Sequence, residues 1–523
     1  MSAPAIPAST TILVIGGGPA GSFAATALAR EGFQVTLLER DHFPRYHIGE
    51  TMLPSMKTFL RFIGAEQKVA DFGFTIKPGA ALKLNQTKRE GYTDFINPDP
   101  TNTSWNVTRA EFDEILLRNA IQEGVSVFEG VSVTQVKFSA ANDKQPVAAD
   151  WKADTGRTGE IKFDWLVDAS GRAGILSTKY LKNRKFSSSL RSVAWWGYWK
   201  GANKYAPGTS RENAPWIEAL TDESGWAWFI PLHAGKVSVG FVLKDDLGRA
   251  KKAAAAGPDQ NMSHYHNQFQ FVPGLKKLLG NAVFQGEVKS AGDYSYSAHG
   301  YGGPHYRIAG DAGAFIDPLF SSGVHLAFGS ALSAACTIVA SIKGQCTEEQ
   351  AIHFHTEKTK TSYTRFLVVV LGVYKQITSQ SVPVLADIDE DNFDRAFDFI
   401  RPVIQGAADT DPTVTEEMVQ DTIDFCAHAT GFFTDPEMEK AVEKRMDPTL
   451  MAKDGPIMGP SAVEAAAGDD EEAKLVLRRL NARKAVGTLK AWEPNFRGET
   501  FDGFYMVRER GNMGLGKAVA AAA

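Results

Sequence analysis

The chain has 523 residues, of which 43% are hydrophobic and 22% charged, enough to bury more than one core and unlike a disordered or fibrous protein. A formal net charge of -5 offers no overall basic surface for nucleic acid. The 3 cysteines, Cys336, Cys346 and Cys426, lack the number for a disulfide framework and the spacing for a metal site, so a reducing, cytoplasmic setting is expected.

The N-terminal MSAPAIPASTT has no basic region followed by an apolar run and does not read as a secretory signal. Residues 11–39 then alternate as TILVI, GGGPAG, SFAATALAREG and FQVTLLE, the order strand, glycine turn, helix, strand. This is a βαβ unit and predicts a parallel sheet. Gly16, Gly18 and Gly21 form GxGxxG in the turn, with Ala20 at the head of the helix. One glycine permits the tight turn, the next lets backbone approach a pyrophosphate, and the third lets helix and strand pack closely. The helix N-terminus aims free N–H groups at the phosphates. Glu39 ends the second strand, 23 residues after Gly16, where a carboxylate accepts ribose hydroxyls. Together these features predict dinucleotide binding.

Further strand-like stretches follow at VSVFEG, VSVTQVKF and FDWLVDASG, and residues 190–245 are rich in Trp, Tyr, Phe and Val. Within them, GWAWFIP at 225–231 places Trp226 and Trp228, two of the 10 tryptophans, at period two. That spacing predicts a strand with both indoles on one face, ended by Pro231, which donates no ladder hydrogen bond. Taken alone, the stretch reads as a core face. A second strand-turn-helix spans 306–342 and carries Gly310-Asp311; by itself this aspartate reads as a turn or cap residue.

Beyond 345 the sequence turns charged and helix-forming. FLVVVLGVY at 366–374 falls short of the ~20 residues of a membrane span and reads as a buried helix. Phe393, Phe397, Ile400 and Ile404 lie at helical spacing, with Pro402 ending or bending the helix. Residues 454–461 read as a loop, 469–485 as an amphipathic helix, and the final alanines as a frayed end. The expected organisation is a dinucleotide-binding part at 8–110, completed by 150–190 and 290–345, a mainly β substrate-side domain at 190–290, and a helical C-terminal region at 346–523.

The order of GxGxxG, Arg109 in WNVTR, Asp168 and Gly171 in DWLVDASGRAG, and Asp311 in RIAGDAGAFIDP resembles the FAD-dependent monooxygenase and halogenase superfamily. The resemblance implies an α/β fold, with a Rossmann-like, GR2-type flavin domain beside a mixed β-sheet substrate domain. It also implies FAD as the dinucleotide, Asp311 on the ribityl chain and Arg109 near the flavin. No second GxGxxG forms a nicotinamide domain.

Two further stretches are similar to the flavin-dependent halogenases. GWAWFIP matches WxWxIP through Trp226, Trp228, Ile230 and Pro231, a motif thought to obstruct monooxygenation at the flavin. FIDPLFSSG matches the family's F/P/S/G pattern through Phe315, Pro318, Ser321 and Gly323. Carried over by position, the amides of Ser322 and Gly323 hold chloride; adjacent N–H groups in a turn make an anion nest. Lys77 in DFGFTIKPGAALKL takes the place of the active-site lysine, with Lys83 as its competitor; a solvated surface lysine is the bland reading of either.

RYHIGETMLPSM at 45–56 and GYTDF at 91–95 look like fungal halogenases of polyketide phenols. Tryptophan halogenases carry a glutamate after Asp-Pro-Leu, where this chain has Phe320. His47 is one candidate base for the phenol, although a structural histidine beside the flavin is the expected role.

The resemblance thus implies a two-component halogenase of secondary metabolism, using FADH2, O2 and chloride or bromide. Through a flavin hydroperoxide and hypochlorous acid it chlorinates a small phenol, with Lys77 delivering the halogen. A separate reductase supplies FADH2, and neither metal, nucleic acid nor membrane is involved. The alternative is a single-component NADPH-dependent hydroxylase; a third reading is a non-catalytic flavoprotein.

Overall fold

The computed structural model describes residues 5–380, apart from 88, 97–98, 188–189 and 293–294, and then 403–406, 409, 436–452, 458, 460–484 and 499–518. One sheet has the spatial order Gly302–Gly303, Tyr306–Ile308, Thr158–Asp168, Ser9–Ile15, Val35–Leu38, Ser126–Phe128, and Pro146–Ala153 and Val131–Phe138 extend it as an antiparallel ribbon. The central strands are parallel, with Ile15 in register with both Leu38 and Asp168. Their run of Ile12, Leu13 and Val14 is fully buried, as expected of a strand covered on both faces.

Helix α1 (Pro19–Arg30), with proline in its first turn, follows the glycine turn. It packs through Phe23 against Phe328 of helix α3 (Gly323–Ile342), and Phe112 of helix α2 (Arg109–Gln122) joins the same core. Helix α3 is long and apolar enough to cross a membrane, but 89% of its apolar window is buried inside this fold. Helix α4 (Glu348–Ile377), opened by a Thr347/Gln350 capping box, packs beside it and contains the FLVVVLGVY run.

The second sheet has seven strands, ordered Val283–Gly292, Ser192–Lys200, Lys236–Lys244, Gly225–Pro231, Trp216–Ala219, Gly79–Lys83, Gly91–Asp94. Trp226, Trp228 and Ile230 face one core with Ile316, Phe320 and the α4 side chains. Ala227 and Phe229 face another, beneath Tyr265 and Leu275. The tryptophan strand is therefore buried on both faces, and Gly240 leaves room for the Trp228 ring, which a Cβ there would meet at 2.3 Å.

The structure adds to or departs from the expected organisation in three places. Gly79–Lys83 and Gly91–Asp94, expected in the dinucleotide-binding part, join the second sheet, where Leu82 pairs with Ile217. Helix α2 and the strands between 126 and 153 belong to the first sheet and its cover. The C-terminal region is not wholly helical. Helix Glu471–Lys484 matches expectation, but Thr500–Phe501, Phe504–Val507 and Gly514–Lys517 form a small antiparallel sheet whose Phe504, Met506 and Leu515 join the α1–α3 core. These strands are too short for a periodic signal. Ile404 is buried, whereas Phe393, Phe397, Ile400, Pro402, Cys426, most of 454–461 and the last five residues lie outside the described residues.

Candidate active site

The glycine turn divides its three positions as steric arguments require. Gly16 has φ +101° and a Cβ there would lie 2.3 Å from the Ala169 carbonyl oxygen; a Cβ on Gly21 would lie 1.8 Å from the Gly16 carbonyl oxygen. Gly18 is different, since its nearest neighbour is the Arg45 guanidinium at 3.4 Å, so its backbone is open to a ligand. Ala20 faces Gly310, where a Cβ would come within 2.9 Å of the Ala20 methyl, which draws the two glycine turns together.

Glu39 accepts the Gly17 N–H at 2.5 Å and the Asp41 N–H at 2.8 Å, leaving further acceptor positions on a carboxylate held at the turn. Asp168 is used up locally by Ser170 and the Leu176 N–H at 2.7 Å. Arg109 is buried, donates to Asp113 at 2.8 and 2.9 Å, and reaches the Ile48 carbonyl at 2.8 Å. Burial pushes the Asp311 carboxyl up to about 6, opposed by the field of Arg109, Arg172 and Arg184. An open glycine backbone at a helix start, flanked by carboxylates and arginines, fits a dinucleotide such as FAD.

In the second segment, Asp317 starts the short turn Pro318–Phe320 by accepting the Leu319 N–H at 3.1 Å. Ser321 follows at φ 58°, a left-handed conformation unusual for a non-glycine residue. Ser322 and Gly323 then open α3, where the first amides have no partner within the helix. The buried Ser322 hydroxyl makes no hydrogen bond among the described residues. A Cβ on Gly323 would meet only the Phe315 ring at 3.5 Å, so packing alone does not demand glycine.

The tryptophan strand lies across from this turn. Trp226 and Trp228 have ring centroids 5.9 Å apart, and Trp196 extends the aromatic wall at 6.4 Å from Trp228. Trp226 donates its N–H to the Tyr374 hydroxyl at 2.9 Å, and Trp228 donates to the Ser238 hydroxyl at 3.1 Å.

Lys77 ends the strand Thr75–Lys77 and is only 2% exposed. Its ammonium donates to the Met52 carbonyl at 3.0 Å and lies 5.2 Å above the Phe95 ring. Among the described residues no carboxylate pairs with it, and burial alone pushes it down to about 7. One residue before Met52, the Thr51 hydroxyl is hydrogen-bonded to the Ser321 hydroxyl. Two consecutive residues thus connect the left-handed turn to the buried amine.

Lys83 is half-buried in register with Glu218, on the same sheet face as Ala81 and so away from the tryptophans. His47 bonds the Ile48 carbonyl at 2.7 Å and is pushed down to about 4 by burial and by Arg109, which suits a neutral structural imidazole. Thr51, Met52, Asp317 and Tyr374 also belong to the site, although no motif position singles them out; the Met52 contact is made by backbone and carries no residue-type signal.

The tryptophan halogenase family matches residues 11–97 and 83–384. The chain is 54% identical over 517 residues to the flavin-dependent halogenase armH1 of Armillaria mellea, covering 98% of this chain and 99% of that one. It is 44% identical over 529 residues to the sulochrin halogenase gedL of Aspergillus terreus, covering 98% and 94%. The myxobacterial chondrochloren halogenase CndH is similar in structure, with a TM-score of 0.63 at 26% identity over 91% of this chain and 98% of that one.

Proposed function

Since this chain belongs to the flavin-dependent halogenase family, we propose that it halogenates a small electron-rich phenol and that Lys77 hands the halogen to the ring. The enzyme uses FAD in its reduced form, O2 and halide. Bound reduced FAD supplies the oxidising chemistry that converts halide and O2 to hypohalous acid.

The remaining tasks fall to the chain itself. The turn of Gly16, Gly18, Ala20 and Gly21 holds the phosphates, Glu39 a ribose and Asp311 the ribityl chain, with Arg109 at the flavin edge. The Ser322 and Gly323 amides hold halide without a fixed cation. Trp226, Trp228, Ile230 and Pro231, together with Pro318, keep the phenol from the flavin side. Lys77 holds hypohalous acid by its N–H groups or takes the halogen on its nitrogen. In either case the ring carbon gains chlorine and loses a proton, and the oxygen leaves as water.

The observation that carries this reading is the Thr51–Met52 link, which puts a buried amine, without a carboxylate partner among the described residues, next in line from the halide turn. A lysine pushed down to about 7 is divided between ammonium and amine at neutral pH, as both modes of transfer require. Phe320 in place of a carboxylate favours a phenol, whose ring is activated once deprotonated. The hydroxylase alternative is not favoured, because the full-length relatives are halogenases. A separate reductase completes the system, and the unpaired Cys336 and Cys346 suit a reducing cytoplasm.

Mass spectrometry of a phenol panel incubated with enzyme, FAD, NADH, a flavin reductase and chloride or bromide tests the reading. A product whose mass and isotope pattern follow the halide supplied is expected. A product that gains one oxygen whichever halide is present contradicts it.

A further inference from the structure

The two motif tryptophans differ in what their indoles hold, and only one is tied to the halide turn. An indole N–H donates and has no acceptor to offer, so the direction of each bond is fixed. Trp226 donates to the Tyr374 oxygen at 2.9 Å, which leaves the phenolic proton for Asp317 Oδ2 at 2.6 Å. Asp317 Oδ1 receives the Leu319 N–H, and the Ser192 hydroxyl approaches Oδ2 at 3.5 Å. Asp317 is fully buried, Trp226 is 2% exposed and Tyr374 8%, so water does not substitute for these partners. Trp228, by contrast, is bound to Ser238 within its own sheet.

We propose that Tyr374 and Asp317 are positioning residues for halide, and that Trp226 acts on the halide turn through them. The turn needs such an anchor. Ser321 is held in the left-handed region, a conformation that persists in a non-glycine residue only where its surroundings fix it. Asp317 fixes the turn from its start, four residues before Ser321, while α3 fixes it from the other side. The Ser322 and Gly323 amides lie between these two supports. A neutral phenol hydrogen bond to a carboxyl is an economical anchor here, because a cation at this position would compete for the halide. Burial pushes Asp317 up to about 7, and the Tyr374 bond opposes that push. The motif strand, α4 and the halide turn are thereby one hydrogen-bonded unit, in addition to an aromatic wall.

The inference rests on the halogenase reading and on Ser322 and Gly323 as the halide site. Its test is Y374F, with W226F as a second variant in case the first does not fold. Chloride binding to the protein with oxidised FAD is measured by NMR line broadening of the chloride signal, and KM values for chloride and phenol are measured separately. Loss of this anchoring hydrogen bond predicts up to about a tenfold weaker chloride affinity and a chloride KM raised by the same factor. The phenol KM and kcat at saturating chloride stay within about twofold. W226F is read on chloride affinity alone, since Trp226 also belongs to the barrier against the phenol, and it weakens that affinity by a smaller factor. Chloride affinity unchanged in Y374F overturns the proposal while leaving the halide site intact, as does equal weakening of chloride and phenol. Absence of chloride binding by the wild-type protein overturns the halide-site reading itself.

Discussion

Among the described residues two lysines are buried, in opposite surroundings. Lys358 on α4 is 4% exposed and touches both Asp409, at 2.6 Å, and Glu499. Arg365 reaches the same two carboxylates, His325 donates its Nε2–H to Asp409 at 2.8 Å, and the cations hold both carboxyls below their usual range. Lys77 is equally buried and has one backbone carbonyl. A buried charge that is fully paired serves as a strut, and removing one partner strands the others. A buried amine with no counter-ion costs stability and lies close to neutrality, which is the condition of a group kept for chemistry.

The contrast can be broken most sharply at Lys77. K77A is expected to lower halogenated product by about 100-fold or more, the size of a lost proton-handling group, with FAD binding and reoxidation near wild type. K358M is expected to behave in reverse, with product per folded molecule near wild type and unfolding free energy in urea lower by about 3–5 kcal/mol. A K358M protein of undiminished stability would dissolve the distinction.

A third variant sharpens the comparison through pH. Lys77 is held at about 7 when folded, against about 10.4 in an unfolded chain, so the unfolded state binds the extra proton between those values. Stability from this residue therefore rises with pH across that window and is lost as pH falls through about 7. K77M removes the penalty and is expected to be more stable than wild type at pH 7 by on the order of 2–4 kcal/mol, with the gain shrinking at pH 9. Parallel urea curves at the two pH values check the sign.

How much of this was legible depended on whether the requirement was local. The GxGxxG turn was readable because two of its requirements are local, the positive φ of Gly16 and the contact of Gly21 with the Gly16 carbonyl. The alternation of Trp226 and Trp228 gave their common face, since period two is a property of a single strand. Lys77 could be placed by resemblance, but its burial and its bond to the Met52 carbonyl depend on a segment 25 positions away. Tyr374 and Asp317 are 57 positions apart, and nothing in either short stretch announces the bond. The strand Gly79–Lys83 crossed its expected boundary for the same reason, because its partners Trp216–Ala219 are remote in sequence. The Lys358 cluster joins residues as distant as Ser55 and Glu499 through His325 and Asp409, beyond any motif.

The most direct measurement follows the halogen itself, with wild type and K77A turning over side by side on a phenol while a soluble thioether scavenges free hypohalous acid. The account predicts that wild type halogenates the phenol at one ring position despite the scavenger, whereas K77A oxidises the scavenger and leaves the phenol unchanged. Halogenation by K77A at the same ring position and rate would contradict it.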